Sequence, residues 1–286
     1  MSKKIGIILE GGAMRSVFTA GIMDFFMEKG IDIPNVIAVS AGAYAGMNYV
    51  SNQPGRINDS IIKPLETGKL LGVKTFFKTG NFFNMDELFD NIPKNECPFD
   101  FEAFISSGKR FITSTIGCRT GEPRYFDKFD NIDEFLQVLR VANSLPLLAK
   151  VGEIDGEPMM DGGMADAIPI DKAIEEGWDK IIVVFTRDAS YRKSAKGDIY
   201  NSKLVKLLYR KYKGLLKAID ARPKKYNDSI ELLNKLESEG KAFIYRPSGI
   251  KLSNNESNAD KLREYYKAGY DHAVERFEDL KKFLED

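Results

Sequence analysis

The stretch Val36-Ile37-Ala38-Val39-Ser40-Ala41-Gly42-Ala43-Tyr44-Ala45-Gly46 decides how this chain is read. Its first four residues are apolar, mostly β-branched and too few for a helix, whereas Ala43 to Val50 supplies helix formers. Ser40 is therefore expected on a strand-to-helix turn. Such a turn, the nucleophile elbow, strains the backbone of its serine and closes only when the neighbouring residues are small. Ala38, Ala41 and Gly42 meet that need. The pattern A-x-S-x-G is one methyl group away from G-x-S-x-G, and a serine that merely caps the helix would fit the same residues.

Upstream, Ile5 to Leu9 reads as a buried first strand and Glu10-Gly11-Gly12-Ala13-Met14-Arg15-Ser16 as the loop after it. A mostly apolar helix follows from Val17 to Met27 and ends near Lys29-Gly30, where glycine is a natural C-cap. Strand, glycine loop and helix N-terminus together present free backbone N–H groups, which can hold a negative oxygen. Neither G-x-G-x-x-G nor G-K-[ST] is present, so dinucleotide and P-loop readings lack their motif. An oxyanion hole needs only about two aimed donors, and Gly11, Gly12 and Ala13 suffice. The bland alternative is a tight turn with no ligand.

Downstream, the stretch from Asn52 to Pro98 is irregular and aromatic, with Phe76-Phe77, Phe82-Phe83 and Phe89. It reads either as a cap over an apolar acyl pocket or, the commoner case, as satellite core under a long connection. Lys109 to Ile116 then reads as a strand and Asp133 to Val141 as a helix. Asp161-Gly162-Gly163 places a carboxylate on a tight turn after the apolar pair Met159-Met160. A helix from Ile170 to Gly177 and a strand from Lys180 to Phe185 continue the alternation. Alternating strands and helices predict a mostly parallel sheet covered on both faces.

Composition narrows the function classes. With 43% hydrophobic and 29% charged residues, the 286-residue chain is expected to be one folded domain, helical in its last part from about residue 195. Lys+Arg and Asp+Glu balance at 42 each, so nothing global suggests a nucleic-acid binder. Cys97 and Cys118 match no metal-ligand spacing, and no cofactor motif is found. The apolar run at the N-terminus is too short for a secretory signal, and no stretch approaches bilayer-spanning length. These features predict a cytoplasmic protein that would touch a membrane only at its surface.

Taken together, the three motifs resemble those of the patatin-like phospholipase family, specifically its bacterial acyl hydrolases. Over about the first 190 residues, the family's G-G-G-x-[RK]-G, G-x-S-x-G and D-G-[GA] motifs have counterparts in order. They are Gly11-Gly12-Ala13-Met14-Arg15-Ser16, Ala38-Val39-Ser40-Ala41-Gly42 and Asp161-Gly162-Gly163. Ala142-Asn143-Ser144-Leu145-Pro146 is similar to the family's S-A-I-P segment. The departures are Ala13, Ser16 and Ala38, each where the family has glycine; an alanine keeps its N–H donor. The resemblance implies a three-layer α/β/α sandwich, a Ser40–Asp161 dyad, an oxyanion hole at Gly11, Gly12 and Ala13, and hydrolysis of acyl esters of lipids. Arg15, Gly42, Gly162 and Gly163 would support these groups, with no cofactor or metal.

In the final third, Leu204, Leu208, Tyr212, Leu215 and Ile219 fall on one face of an expected helix from Lys203 to Ile219. Lys203, Lys206, Arg210, Lys213 and Lys217 form another face. That face is either solvated or suited to an anionic membrane surface. Ala242 to Tyr245 reads as a late strand and Asn258 to Leu284 as a closing helix. The single histidine, His272, lies in that helix, so Asp161 is the expected base rather than a histidine. Two functions remain open from the residues: a serine acyl hydrolase, or a non-catalytic lipid or protein binding module on the same fold.

Overall fold

A computed structural model describes residues 3–71, 82–196 and 198–285. The first strand, β1 (Ile5–Leu9), shows how its layers arise. Successive side chains of a strand point to opposite faces. Ile7 and Leu9 therefore enter one core with Val36, Val184 and Tyr245, and Ile8 enters another with Ile37, Val183 and Ile244. Both faces being buried, the strand must read as continuously apolar, as it does.

The remaining strands are β2 (Asn35–Ala38), β3 (Arg110–Gly117), β4 (Pro123–Phe126), β5 (Gly152–Ile154), β6 (Glu157–Asp161), β7 (Lys180–Val184) and β8 (Ala242–Tyr245). They form one sheet in the order β5-β6-β3-β2-β1-β7-β8, with β4 also on β3. The run from β3 to β8 is parallel, and β4, β5 and β6 are antiparallel additions. The sheet is thus mostly parallel at its centre, as expected; β4 and β5 were not legible in the sequence because neither strand exceeds four residues.

Register fixes the site. Leu9 lies level with both Ala38 and Val184, so the loops after β1, β2 and β7 leave the sheet at one edge. Ligands in open α/β sheets bind at this carboxyl edge. Along β3, Thr113 lies opposite Ala38 and Thr115 opposite Asp161. The two motifs are therefore brought within two residues of each other on a shared neighbour, roughly 7 Å at about 3.3 Å per residue.

Helices α1 (Ser16–Glu28) and α2 (Ala41–Val50) cover one face, joined by the helix Ala259–Glu275. α1 crosses that helix closely: a Cβ on Gly21 would meet the carbonyl oxygen of Tyr266 at 2.1 Å, and one on Gly269 that of Phe18 at 2.0 Å. The long helix Lys213–Ser238 covers the other face through Tyr226, Ile230 and Leu233. A three-layer α/β/α sandwich results.

Two expected helices are each broken in two. Lys203–Ile219 is not one amphipathic helix but the helix Lys203–Leu208 followed by Lys213–Ser238. The break comes where Gly214 packs on the turn after β3: a Cβ there would meet the carbonyl oxygen of Arg119 at 2.4 Å, and Leu215 N–H bonds to the carbonyl of Cys118. Leu215 and Ile219 are consequently buried, while Leu204 and Leu208 stay exposed. The closing helix divides at Arg276 into Ala259–Glu275 and Phe277–Glu285, where the Arg276 guanidinium lies over the Phe243 ring and donates to the Ile244 carbonyl. Among the described residues, no helix is long and apolar enough to cross a membrane.

Candidate active site

Ser40 sits between β2 and α2 with φ 53° and ψ −133°, a conformation costly for an L residue. The turn is held by small neighbours. A Cβ on Gly42 would meet the carbonyl oxygen of Leu9 at 2.6 Å, and one on Gly11 would meet the Ser40 Cβ at 2.6 Å. Ala38 is fully buried at the end of β2, and its carbonyl accepts the Thr113 hydroxyl. The methyl at this position is accommodated because Gly46 faces it. Being the first residues of α2, the turn also directs the positive end of that helix at Ser40.

The Ser40 hydroxyl donates to Asp161 Oδ2 at 2.5 Å, and both residues are buried. Asp161 Oδ1 accepts the Gly163 N–H at 2.8 Å, while the Asp161 N–H is taken by the Ser144 carbonyl. Gly162 lies against Ser114 on β3 with no room for a side chain. Burial raises the Asp161 carboxyl to about 6, against the opposing pull of the Ser40 and Gly163 hydrogen bonds and of the Arg222 and Lys193 charges. A buried carboxylate of raised basicity is better matched to taking a hydroxyl proton near neutral pH than a solvated one.

The loop after β1 passes directly over Ser40. The N–H groups of Gly11, Gly12 and Ala13 have no acceptor among the described residues, whereas those of Met14 and Arg15 are taken by the carbonyls of Asn254 and Gly12. Ala13 has φ 49°, a left-handed value that glycine would adopt more readily. Arg15, just after the loop, is buried and its Nε has no partner among the described residues.

Four residues of the site were not singled out from the sequence. Buried Glu10 accepts the backbone N–H and hydroxyl of Thr186 through one oxygen and the Tyr226 hydroxyl through the other. The single Thr186 hydroxyl proton is shared between Glu10 and the Gly11 carbonyl, each at 3.0 Å, which orients the loop. Arg222 Nε donates to the Gly163 carbonyl at 2.8 Å and so holds the turn that carries Asp161. The available signals were Glu10, a charge ending an apolar strand, and Thr186, just past a buried parallel strand. Tyr226 and Arg222 come from the long C-terminal helix and gave no local signal.

Two cavities meet at Ser40. One is apolar and is lined by Val17, Tyr44, Ile61, Leu88 and Phe89 among others. Phe83 and Phe89 of the aromatic segment contribute to it; Phe76-Phe77 lie outside the described residues. The other cavity is polar, about 470 Å³, and holds Ser40, Asp161, Gly11, Gly12, Ala13 and Arg15. His272 lines neither; it packs on the rings of Phe18 and Tyr245, and burial lowers its pKa. Among the described residues, no group of three or more His, Cys, Asp or Glu is arranged to hold a metal ion.

A family model described as patatin-like phospholipase matches residues 7–174, more than half of the chain. The chain belongs to the patatin-like phospholipase family. All three patatin-like motifs fall within or beside the matched segment, and membership makes the coarse function that of a lipid hydrolase. A second model, a domain of unknown function (DUF6363), matches residues 212–285, which carry Arg222 and Tyr226. One relative, the uncharacterized protein YjjU of Escherichia coli (strain K12), is 25% identical over 279 residues, 93% of this chain and 75% of that one. Among solved structures, VipD from Legionella pneumophila gives a TM-score of 0.49 at 12% identity, covering 99% of this chain and 67% of that chain.

Proposed function

We infer that the protein is a serine acyl hydrolase that cleaves acyl esters of lipids with a Ser40–Asp161 dyad. The observation that carries this reading is the 2.5 Å hydrogen bond from the Ser40 hydroxyl to a buried carboxylate of raised basicity. In the first half-reaction Ser40 Oγ attacks the ester carbonyl and Asp161 takes its proton. The tetrahedral oxyanion is met by the N–H groups of Gly11, Gly12 and Ala13. The alcohol leaves with the proton that Asp161 returns, and the acyl group stays on Ser40. Water then attacks the acyl-enzyme, gives a proton to Asp161, and the carboxylic acid departs as Ser40 regains its hydrogen. Gly42, Gly162 and Gly163 act through the backbone and packing around these groups, and Arg15 lies buried beside them on the wall of the polar cavity.

The apolar cavity suits the acyl chain and the polar cavity the alcohol part. Hydrolysis of a short-chain p-nitrophenyl ester tests the reading: turnover by the wild type and its loss in Ser40→Ala support it, whereas equal turnover by both overturns it. A binding module would hold the lipid and release no acid.

Peripheral contact with a membrane is part of the same proposal. Ile199, Leu204, Leu207 and Leu208 are each more than half exposed, beside Lys203, Lys206 and Arg210, and Ile199 lines the polar cavity that opens to Ser40. Apolar side chains among basic ones favour an anionic lipid surface. Co-sedimentation with phosphatidylglycerol vesicles should fall sharply in Leu204→Glu/Leu207→Glu; unchanged binding would remove this element.

A further inference from the structure

The polar cavity beside Ser40 carries six cationic side chains against three carboxylates. Its carboxylates are already engaged. Asp161 holds Ser40, Glu10 is committed to Thr186 and Tyr226, and Asp198 accepts the Tyr200 N–H through one oxygen and faces Arg222 at 3.5 Å with the other. Arg15, Arg187 and Lys193 form no ion pair among the described residues. Arg187 and Lys193 rest on the rings of Tyr191 and Tyr226, and the Nε of buried Arg15 has no hydrogen-bond partner among the described residues. Burial and neighbouring cations push Lys193 down to about 7, and the charge on Arg15 is opposed by its burial and by Arg187.

Gathering cations in a part-buried cleft without counter-charge is unfavourable, because each loses hydration and repels the others. Such an arrangement is sustained where an anion completes it, and buried donors without acceptors mark where its oxygens would go. The cavity also contains Ser40 and the Gly11–Ala13 donors, so an anion held there sits on the alcohol side of an ester under attack. The acyl cavity leaves Ser40 in the other direction and is lined by apolar side chains.

We propose that Arg15, Arg187, Lys193 and Arg222 form a subsite for a phosphate carried by the alcohol part of the substrate, which makes the enzyme prefer acyl esters with a net-negative headgroup over zwitterionic or neutral ones. Arg15 lies within the patatin-like segment at residues 7–174, whereas Arg187, Lys193 and Arg222 lie beyond it, so three of the four cations come from outside that segment. A zwitterionic headgroup finds no free carboxylate there for its ammonium. The inference rests on the hydrolase reading only for the word substrate; the anion site stands on the cavity itself.

The test uses the full chain and three soluble esters with one octanoyl chain: octanoyl glycerol 3-phosphate, octanoyl glycerophosphocholine and octanoyl glycerol. The phosphate monoester should give kcat/KM on the order of ten-fold above the other two. Arg187→Gln and Lys193→Gln should each erase most of that advantage, mainly by raising KM. Equal kcat/KM for the three esters overturns the proposal. Calorimetric binding to Ser40→Ala separates the sources and guards against an inactive enzyme. Octanoyl glycerol 3-phosphate binding more tightly than inorganic phosphate, and weakened in Arg187→Gln, supports the headgroup subsite. Inorganic phosphate binding equally well overturns the headgroup assignment and leaves a free-phosphate site. No binding of either ligand overturns the site altogether. If none of the esters is hydrolysed yet the phosphate ester binds, the hydrolase reading fails and the anion site survives.

Discussion

Ser40 and Asp161 stand 121 positions apart in the chain and share a hydrogen bond of 2.5 Å. They meet because β3 carries both of their elements, with Ala38 opposite Thr113 and Asp161 opposite Thr115. The carboxylate is desolvated by that placement, and its protonation becomes the natural first handle on the chemistry.

In the proposed reaction Asp161 must be ionised to accept the serine proton. With Asp161 raised to about 6 by burial, kcat/KM for a neutral ester should climb with pH and level off above that value. A pH–rate profile on p-nitrophenyl butyrate checks this. A limb centred near 4 would mean a solvated carboxylate.

Replacing the base separates activity from stability. The Asp161 carboxyl titrates near 3.8 when unfolded and near 6 when folded, so the folded state binds the extra proton between these values. Stability from this group is therefore fully present below the unfolded value and lost as pH rises through the folded one, by about 3 kcal/mol in all. Asp161→Asn should abolish hydrolysis and gain stability relative to wild type as pH rises from 4 to 7. Urea unfolding at both pH values measures it; a gap that shrinks with rising pH would contradict the account.

Ala13 holds a positive φ where the family has glycine. Ala13→Gly should relieve that strain, stabilising the fold by about 1 kcal/mol, and keep the N–H donor, so turnover should remain within a few-fold. Denaturant melts and ester kinetics on one preparation test both halves. Clear destabilisation would show that the left-handed conformation is not the determining factor.

At Gly12 the obstacle is a neighbour. A Cβ would meet the Thr186 hydroxyl at 2.5 Å, and that hydroxyl is tied to Glu10 and the Gly11 carbonyl. Gly12→Val should tilt the donor loop and lower kcat on the order of 100-fold or more while the melting temperature changes little. Undiminished kcat would assign the loop another role.

Much of this was readable from the chain. Ile5–Leu9 and Ala242–Tyr245 declare themselves as strands by unbroken apolar runs, because both faces of the sheet are covered. The three motifs pointed to Ser40, Asp161 and the Gly11–Ala13 loop, which the fold brings into one cavity, because the proposed chemistry needs small residues at fixed spacings. The breaks at Tyr209–Tyr212 and at Arg276 were not readable, since helical periodicity runs through both and only distant contacts interrupt it: Gly214 on the β3 turn, Arg276 on β8. Glu10, Thr186, Arg222 and Tyr226 were hidden for the same reason. Their partners lie up to 216 positions away, and no local pattern encodes such a pairing.

Labelling with a fluorophosphonate, followed by peptide mass spectrometry, tests the central claim most directly, because the reagent reacts only with a serine whose proton has an acceptor and whose oxyanion has donors. One adduct is expected, on Ser40, in the wild type, with near-complete loss in Asp161→Asn but not in His272→Ala. An unlabelled Ser40, or labelling of Ser40 that survives Asp161→Asn and vanishes in His272→Ala, would contradict it.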